Sequence, residues 1–362
     1  MQALQLRPHV GGRRGQRRQP FYEVATFRYD TDLSREENLA LGCEFMRGGK
    51  RDGIRYGLVQ FDEVKSVEWW ASTFCHKTRG RDALPAAGRY RLSGRCGIMD
   101  FGMPFLLENN SIEESAALCQ RLRLSFVELN EGFPPCRGIG AKELRRLSDR
   151  YGIYFTIHAE EGFDPFNFND RVRQAWLDTL REEIGLAKEA GVPLINMHLP
   201  KGDRITLPDR RVNLYDKYTD FYRRSVLAFR QIVEEAVGDS GVRVSVENTD
   251  GFAPHELAAL ELLLESPVFG LTLDIGHSHG MGDMDIPFYE QHTDRLIHMH
   301  GHDALGRRNH LALGDGEIDL PGRFAWAARN GARVVLETKT IAALETSVSR
   351  LPEILAHIGE KV

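Results

Sequence analysis

From about Arg95 onward the chain repeats one unit eight times: a short apolar run ending in a polar or small residue, then a longer stretch of helical periodicity. The runs are CGIMDFG, SFVELN, YFTIHAE, LINMHLP, VRVSVENTDG, GLTLDIGH, RLIHMHGH and RVVLETKT. Between them, segments such as SIEESAALCQRL, AKELRRLSDRYG, RVRQAWLDTLREEIGLAKEAG, YDKYTDFYRRSVLAFRQIVEEAVG and the terminal IAALETSVSRLPEILAHIG space their apolar residues as helices do, and several stop at a glycine. Strand and helix alternating eight times over about 265 residues is the count and length of a (β/α)8 barrel, an α/β fold of the TIM type. A doubly wound open sheet is the alternative, but eight repeats favour closure.

Residues 1–94 do not join this rhythm. DLSREENLALGCEFMRGG reads as one helix, GIRYGLVQF as a strand and VEWWASTF as either. The chain is therefore read as an N-terminal extension of unassigned role over residues 1–94, partly disordered or a small α/β unit, followed by a barrel over residues 95–362. The leader MQALQLRPHVGGRRGQRRQPF has arginines but no apolar core behind them, so it does not read as a secretory signal. No apolar run reaches the ~18 residues of a membrane span. Cys43, Cys75, Cys96, Cys119 and Cys136 are odd in number and form no CxxC pair, which points to reduced packing thiols and a cytoplasmic protein. Residues 1–98 hold 18 Lys and Arg against 11 Asp and Glu, leaving 29 against 41 for the rest. An acidic body is a poor footprint for nucleic acid, whose binding rests on phosphate neutralisation.

In such a barrel the chemistry gathers at the C-terminal ends of the strands. Seven of the runs carry, at or near the end of the apolar stretch and in order, Glu128, His158, His198, Glu247, Asp274, His300 and Glu337. Any one of them has a plain structural reading as a surface carboxylate, a helix cap or a packed imidazole. All seven being Asp, Glu or His, when about a quarter of residues are charged, points to a metal centre. In LIHMHGH the alternation of His298, His300 and His302 aims three imidazoles at one face of an extended segment. In the following HLALGDGEIDL, Gly314 and Gly316 suit a tight turn back to the next helix.

VSVENT, LTLDIGHSHG, HMHGHD with HLALGDGEIDL, and VVLET stand in the order and spacing of the xylose isomerase-like barrel superfamily, which this chain resembles over residues 97–358. The superfamily includes sugar isomerases and epimerases and the endonuclease IV type of apurinic endonuclease. The resemblance implies that Glu247, Asp274, His300 and Glu337 hold one divalent ion, with His298 and His302 supporting. It implies a second ion on His158 and His198, bridged through Glu247, as in the endonuclease. His277 and His310 match two ligands of the endonuclease's third ion, but the family's Asp-x-His is here Arg308-Asn309-His310.

Three carboxylates and one imidazole suit Mn²⁺, Mg²⁺ or Co²⁺, and an added His158–His198 pair shifts preference towards Zn²⁺. The function expected first is a metal-dependent isomerase or epimerase of a sugar or sugar-derived ketone, working through an enediolate, with Glu247 and Glu337 exchanging the proton. Behind it stand a lyase or dehydratase on a related polyol or keto acid, then an endonuclease IV-like phosphodiesterase, then a barrel that keeps only a structural ion. His277, His310, Glu128 and Arg308 are the expected substrate contacts, with Phe163, Lys201, Phe252 and Arg307 as further candidates. The expected partner is a small carbohydrate-like molecule, with neither nucleic acid nor membrane; a homo-oligomer is left open.

Overall fold

A computed structural model of the chain describes residues 89–91 and 98–360. The expected helix and strands of the N-terminal extension, its leader and Cys43, Cys75 and Cys96 lie outside the described residues.

Eight parallel strands close on themselves. They are β1 (Ile98–Pro104), β2 (Phe126–Asn130), β3 (Tyr154–His158), β4 (Leu194–His198), β5 (Arg243–Glu247), β6 (Phe269–Asp274), β7 (Leu296–Gly301) and β8 (Arg333–Leu336). Pairing runs in sequence around the ring, and the β8–β1 register (Val334 opposite Phe101) together with the β1–β2 register (Met103 opposite Val127) seals it. The short strand Arg89–Arg91 pairs antiparallel with the first residues of β1. All eight expected strands are therefore present, as a barrel and not an open sheet.

The helices α1 (Ile112–Arg121), α2 (Ala141–Tyr151) and α3 (Asp170–Ala190) follow the first three strands as the periodicity predicts. Ser111 caps α1 by accepting from the Glu114 N–H, and Asn169 caps α3 by accepting from that of Arg171. The single helix expected over YDKYTDFYRRSVLAFRQIVEEAVG is broken at Tyr218, whose ψ of 51° is not helical, leaving one turn before α4 (Thr219–Val237). After α5 (Pro254–Leu264), β6 leads into two short helices, α6 (Ile275–Gly280) and α7 (Ile286–Gln291). The hairpin Asp303–Leu305/Arg308–Leu311 interrupts the path from β7 to α8 (Leu320–Asn330), and α9 (Ile341–Ala356) closes the ring.

Along a strand, neighbouring side chains face opposite ways. The apolar partners in each pair, such as Val244 and Val246 on β5 or Leu271 and Leu273 on β6, are buried beneath the helices. Each contributes about 1.5–3 kcal/mol by leaving water. The other face is polar. Thr272 Oγ1 donates to Ser245 Oγ (2.7 Å), Ser245 Oγ to Asn196 Oδ1 (3.0 Å), and Asn196 Nδ2 to Glu247. Glu128 on β2 reaches His298 and His300 on β7, a contact that only the barrel interior permits. The interior of this barrel carries these hydrogen-bonded chains where layers of Val, Ile and Leu are usual.

Candidate metal centre

Glu247 is the last residue of β5, and its carboxylate divides the centre in two. Its Oε1 lies 3.1 Å from His300 Nδ1, which is also 3.2 Å from Glu337 Oε2 and 3.9 Å from Asp274 Oδ2. Its Oε2 lies 3.3 Å from Nε2 of both His158 and His198. Atoms about 2.1 Å from a shared ion, at roughly 90–109° to one another, are about 3.0–3.4 Å apart. Most of these separations fall in that range. Glu247, Asp274, His300 and Glu337 form one group able to hold a metal ion, and His158, His198 and Glu247 form another.

His300 Nδ1 and Glu337 Oε2 are buried and, though 3.2 Å apart, are not aligned for a hydrogen bond with each other or with any other group. Unpartnered buried polar atoms are costly, and a divalent ion would satisfy both. The outward ring nitrogens are tied down: His158 Nδ1 lies 2.7 Å from Ala159 O, His198 Nδ1 3.3 Å from Glu161, and His300 Nε2 2.8 Å from Glu128. A carbonyl or carboxylate oxygen can only accept, so each outward nitrogen keeps its proton, and an arriving cation would displace any proton from the inward one and meet its lone pair.

Charge is arranged to the same end. Burial opposes ionisation of Glu247 and Glu337, but His300 beside both, together with His198 and His158 at Glu247 and Lys339 and His310 at Glu337, outweighs it and holds them well below the usual carboxylate range. Burial likewise opposes protonation of His198, yet Glu247 and Glu161 push its imidazole up to about 10. The cluster is short of positive charge.

Support comes from residues that sequence patterns do not single out. Lys339 Nζ pairs with Glu337 Oε1 at 2.7 Å, and Asn248 Oδ1 accepts from the Asp274 N–H at 2.7 Å. Asp303 spends its carboxylate on four backbone N–H groups, of Ala304, Ile318, Gly314 and Gly316. That anchors HLALGDGEIDL as the expected tight turn, in which a Cβ on Gly316 would lie 2.3 Å from Ala304 O. Asn196, Ser245 and Thr272, the bonded residues of the barrel interior, each stand two positions before a strand-end ligand; polar alternation within the runs is the signal that could have found them.

His302 Nε2 lies 3.0 Å from both oxygens of Asp274, while its Nδ1 accepts from the His310 N–H at 2.9 Å. It supports the ligand, as expected. Gly276 packs so closely that a Cβ there would lie 1.9 Å from His302 Cε1. Gly276→Ala should therefore displace the ring and destabilise the fold by about 1–3 kcal/mol, read from chemical denaturation; an unchanged midpoint would refute this packing.

The expected substrate contacts separate. His277 and His310 face each other with ring centroids 5.7 Å apart and are half-buried. Arg307 and Arg308 are exposed on the hairpin. Lys201 and Phe252 line a cavity of about 970 Å³ with Met284 and Phe288, formed by the loops after β4, β5 and β6 and not by the ligand group. Two positions differ from expectation. Glu128 is not the end of its strand, which is Asn130; it is 3% exposed, with its oxygens engaged by His298, His300 and Thr156. Phe163 packs against Trp176 and Phe229 in the core. His310 forms a further possible ion-holding group with His302 and Glu337, whereas His277 belongs to none among the described residues. Cys119 and Cys136 are buried free thiols, as packing residues should be.

A closed (β/α)8 barrel with carboxylates and imidazoles converging at its strand ends defines a known class of architecture. The chain belongs to the xylose isomerase-like TIM barrel family, whose model matches residues 110–355. It is 27% identical over 236 residues to the protein MJ1311 of Methanocaldococcus jannaschii, covering 61% of this chain and 76% of that one. Among solved structures, a D-tagatose 3-epimerase-like protein superposes with a TM-score of 0.61 at 24% identity, over 73% of this chain and 99% of its own. L-ribulose 3-epimerase follows at 0.58 and 16% identity, over 73% and 96%. The IOLI protein, solved with a zinc atom, gives 0.56 at 14%, over 72% and 99%. At these identities the superpositions establish the fold. No helix among the described residues is long and apolar enough to cross a membrane.

Proposed function

We propose that the protein is a divalent-metal-dependent isomerase or epimerase of a sugar or sugar-derived ketone. The observation that carries this reading is the convergence of Glu247, Asp274 and Glu337 on His300 Nδ1, with two glutamates available for proton transfer beside one candidate ion position. The sugar epimerases among the structural neighbours support it.

A divalent ion held by Glu247, Asp274, His300 and Glu337 would supply the Lewis acidity that polarises a carbonyl. Glu337 is the more open of the two glutamates, 15% exposed at its side chain against 3% for Glu247. Glu337 takes the proton from the carbon next to the carbonyl, and Glu247, after accepting a proton from a substrate hydroxyl or solvent, returns one to that carbon. His300, with Lys339 on Glu337 Oε1, keeps that carboxylate ionised before the transfer. His277 and His310, at the mouth, hold substrate hydroxyls, and Arg308 guards the rim. Mn²⁺, Mg²⁺ or Co²⁺ fits the oxygen-rich group.

One observation favours a second reading. His158 and His198 share Glu247 with the first group, as a dinuclear zinc phosphodiesterase of the endonuclease IV kind would require. Against it, Arg308 stands where such an enzyme would place the aspartate of its third ion. A lyase or dehydratase would begin with the same proton abstraction.

The test is solvent deuterium incorporation by metal-loaded protein into a panel of ketoses, inososes and keto acids. Exchange at the carbon next to the carbonyl is the expected result. No exchange with any of them, together with zinc-dependent cleavage of abasic DNA, would replace this reading with the second.

A further inference from the structure

From the ligand His300 a buried chain runs inward through Glu128 to His298, two titratable side chains with no part in the proton transfer. Glu128 Oε1 lies 2.8 Å from His300 Nε2; Glu128 Oε2 lies 2.9 Å from His298 Nε2 and 3.1 Å from Thr156 Oγ1. Glu128 is 3% exposed, His298 0% and His300 1%. Removing a carboxylate from water costs several kcal/mol even in relaxed proteins, and the barrel interior ordinarily holds aliphatic side chains at this depth. The 2.8 and 2.9 Å separations are hydrogen-bond lengths, shorter than the roughly 3.0–3.4 Å between two ligands of one ion. Glu128, His298 and His300 also lie close enough to form an ion-holding group, but these lengths mark Glu128 as a hydrogen-bond acceptor of both rings.

What the arrangement accomplishes follows from imidazole chemistry. A neutral ring has one N–H and one lone pair. With the Nε2 proton given to Glu128, the lone pair falls on Nδ1, the atom facing Glu247, Asp274 and Glu337. Were the tautomer reversed, an N–H would point at the position of the ion.

We propose that Glu128, itself held by His298 and Thr156, is the positioning residue that fixes the ligating tautomer of His300 and thereby sets how tightly the centre binds its ion. The inference rests on the four-residue group being the ion site. Loss of a carboxylate behind a ligating histidine typically costs 10–100-fold in metal affinity.

Charge and shape give opposite predictions for two substitutions. Glu128→Gln keeps the shape and removes the charge, so one of the two imidazoles must meet an amide N–H in place of an acceptor. Glu128→Asp keeps the charge and leaves a gap of one methylene. A tautomer-setting role makes Gln the worse substitution, whereas a packing role makes Asp the worse.

The experiment titrates metal-stripped full-length protein with Mn²⁺ alone and with Zn²⁺ alone, with thermal melting as the check on folding. Glu128→Gln should bind 10–100-fold more weakly than wild type, and Glu128→Asp should recover part of the loss. Wild-type affinity in a folded Glu128→Gln protein, or an Asp variant weaker than the Gln variant, overturns the proposal. Should Glu128→Gln fail to fold, Glu128→Asp decides: binding within tenfold of wild type supports the proposal, and a larger loss overturns it. If wild type itself binds neither ion, the ion-site reading fails, an outcome distinct from equal binding by wild type and variant.

Discussion

Glu337→Gln is expected to lower proton exchange into an accepted ketose by ~10²- to 10⁴-fold while the barrel stays folded, the usual cost of losing a general base. The amide cannot take a proton from carbon. Its geometry is also constrained: Lys339 holds Oε1 at 2.7 Å, so the amide oxygen stays with the lysine and the NH2 group turns towards His300. Some loss of ion affinity must therefore accompany the loss of the base. Measuring exchange by NMR in deuterated solvent at saturating metal, with bound metal counted in the same sample, separates the two effects. Exchange at the wild-type rate would remove Glu337 from the reaction.

Asp274→Asn should abolish tight ion binding and, with it, the stabilisation that bound ion confers. A ligand present at about 1,000 times its dissociation constant stabilises the folded state by ~4 kcal/mol. Asparagine is the informative replacement because Asp274 also caps α6, where its Oδ1 accepts from the His277 N–H at 2.7 Å. Asparagine caps as well as aspartate does, so metal-free wild type and variant should melt together, and only wild type should rise on adding metal. Equal rises in both proteins would show that the ion binds elsewhere.

How much of the fold and the centre is legible in the sequence depends on which physical signal each residue carries. Strand-end ligands stand out because a charged or imidazole side chain ends an apolar run, and six of the seven expected residues do converge, at His158, His198, Glu247, Asp274, His300 and Glu337. The same rule misplaces Glu128: it is the last charged residue of SFVELN, but Asn130 ends the strand, so Glu128 lies one layer deeper. The break at Tyr218 and the hairpin carrying Arg308 and His310 arise from loop geometry that helical periodicity does not encode. His310 even adopts a φ of +55°, which no sequence pattern announces. Lys339 and Asp303 look like ordinary surface charges; their roles exist only through partners that folding brings to them.

The hydrogen-bonded interior also bears on how this barrel can diverge. On the outer face, one aliphatic residue can replace another with small cost, because dispersion has no direction. Inside, Thr272, Ser245, Asn196 and Glu247 each serve as the next residue's partner, so a lone substitution strands a donor or acceptor at ~1–3 kcal/mol. Descendants of this chain should change Thr272, Ser245 and Asn196 in concert or not at all, and a designer altering substrate preference would do better to vary the loops above the centre than the bonded chain that leads to Glu247.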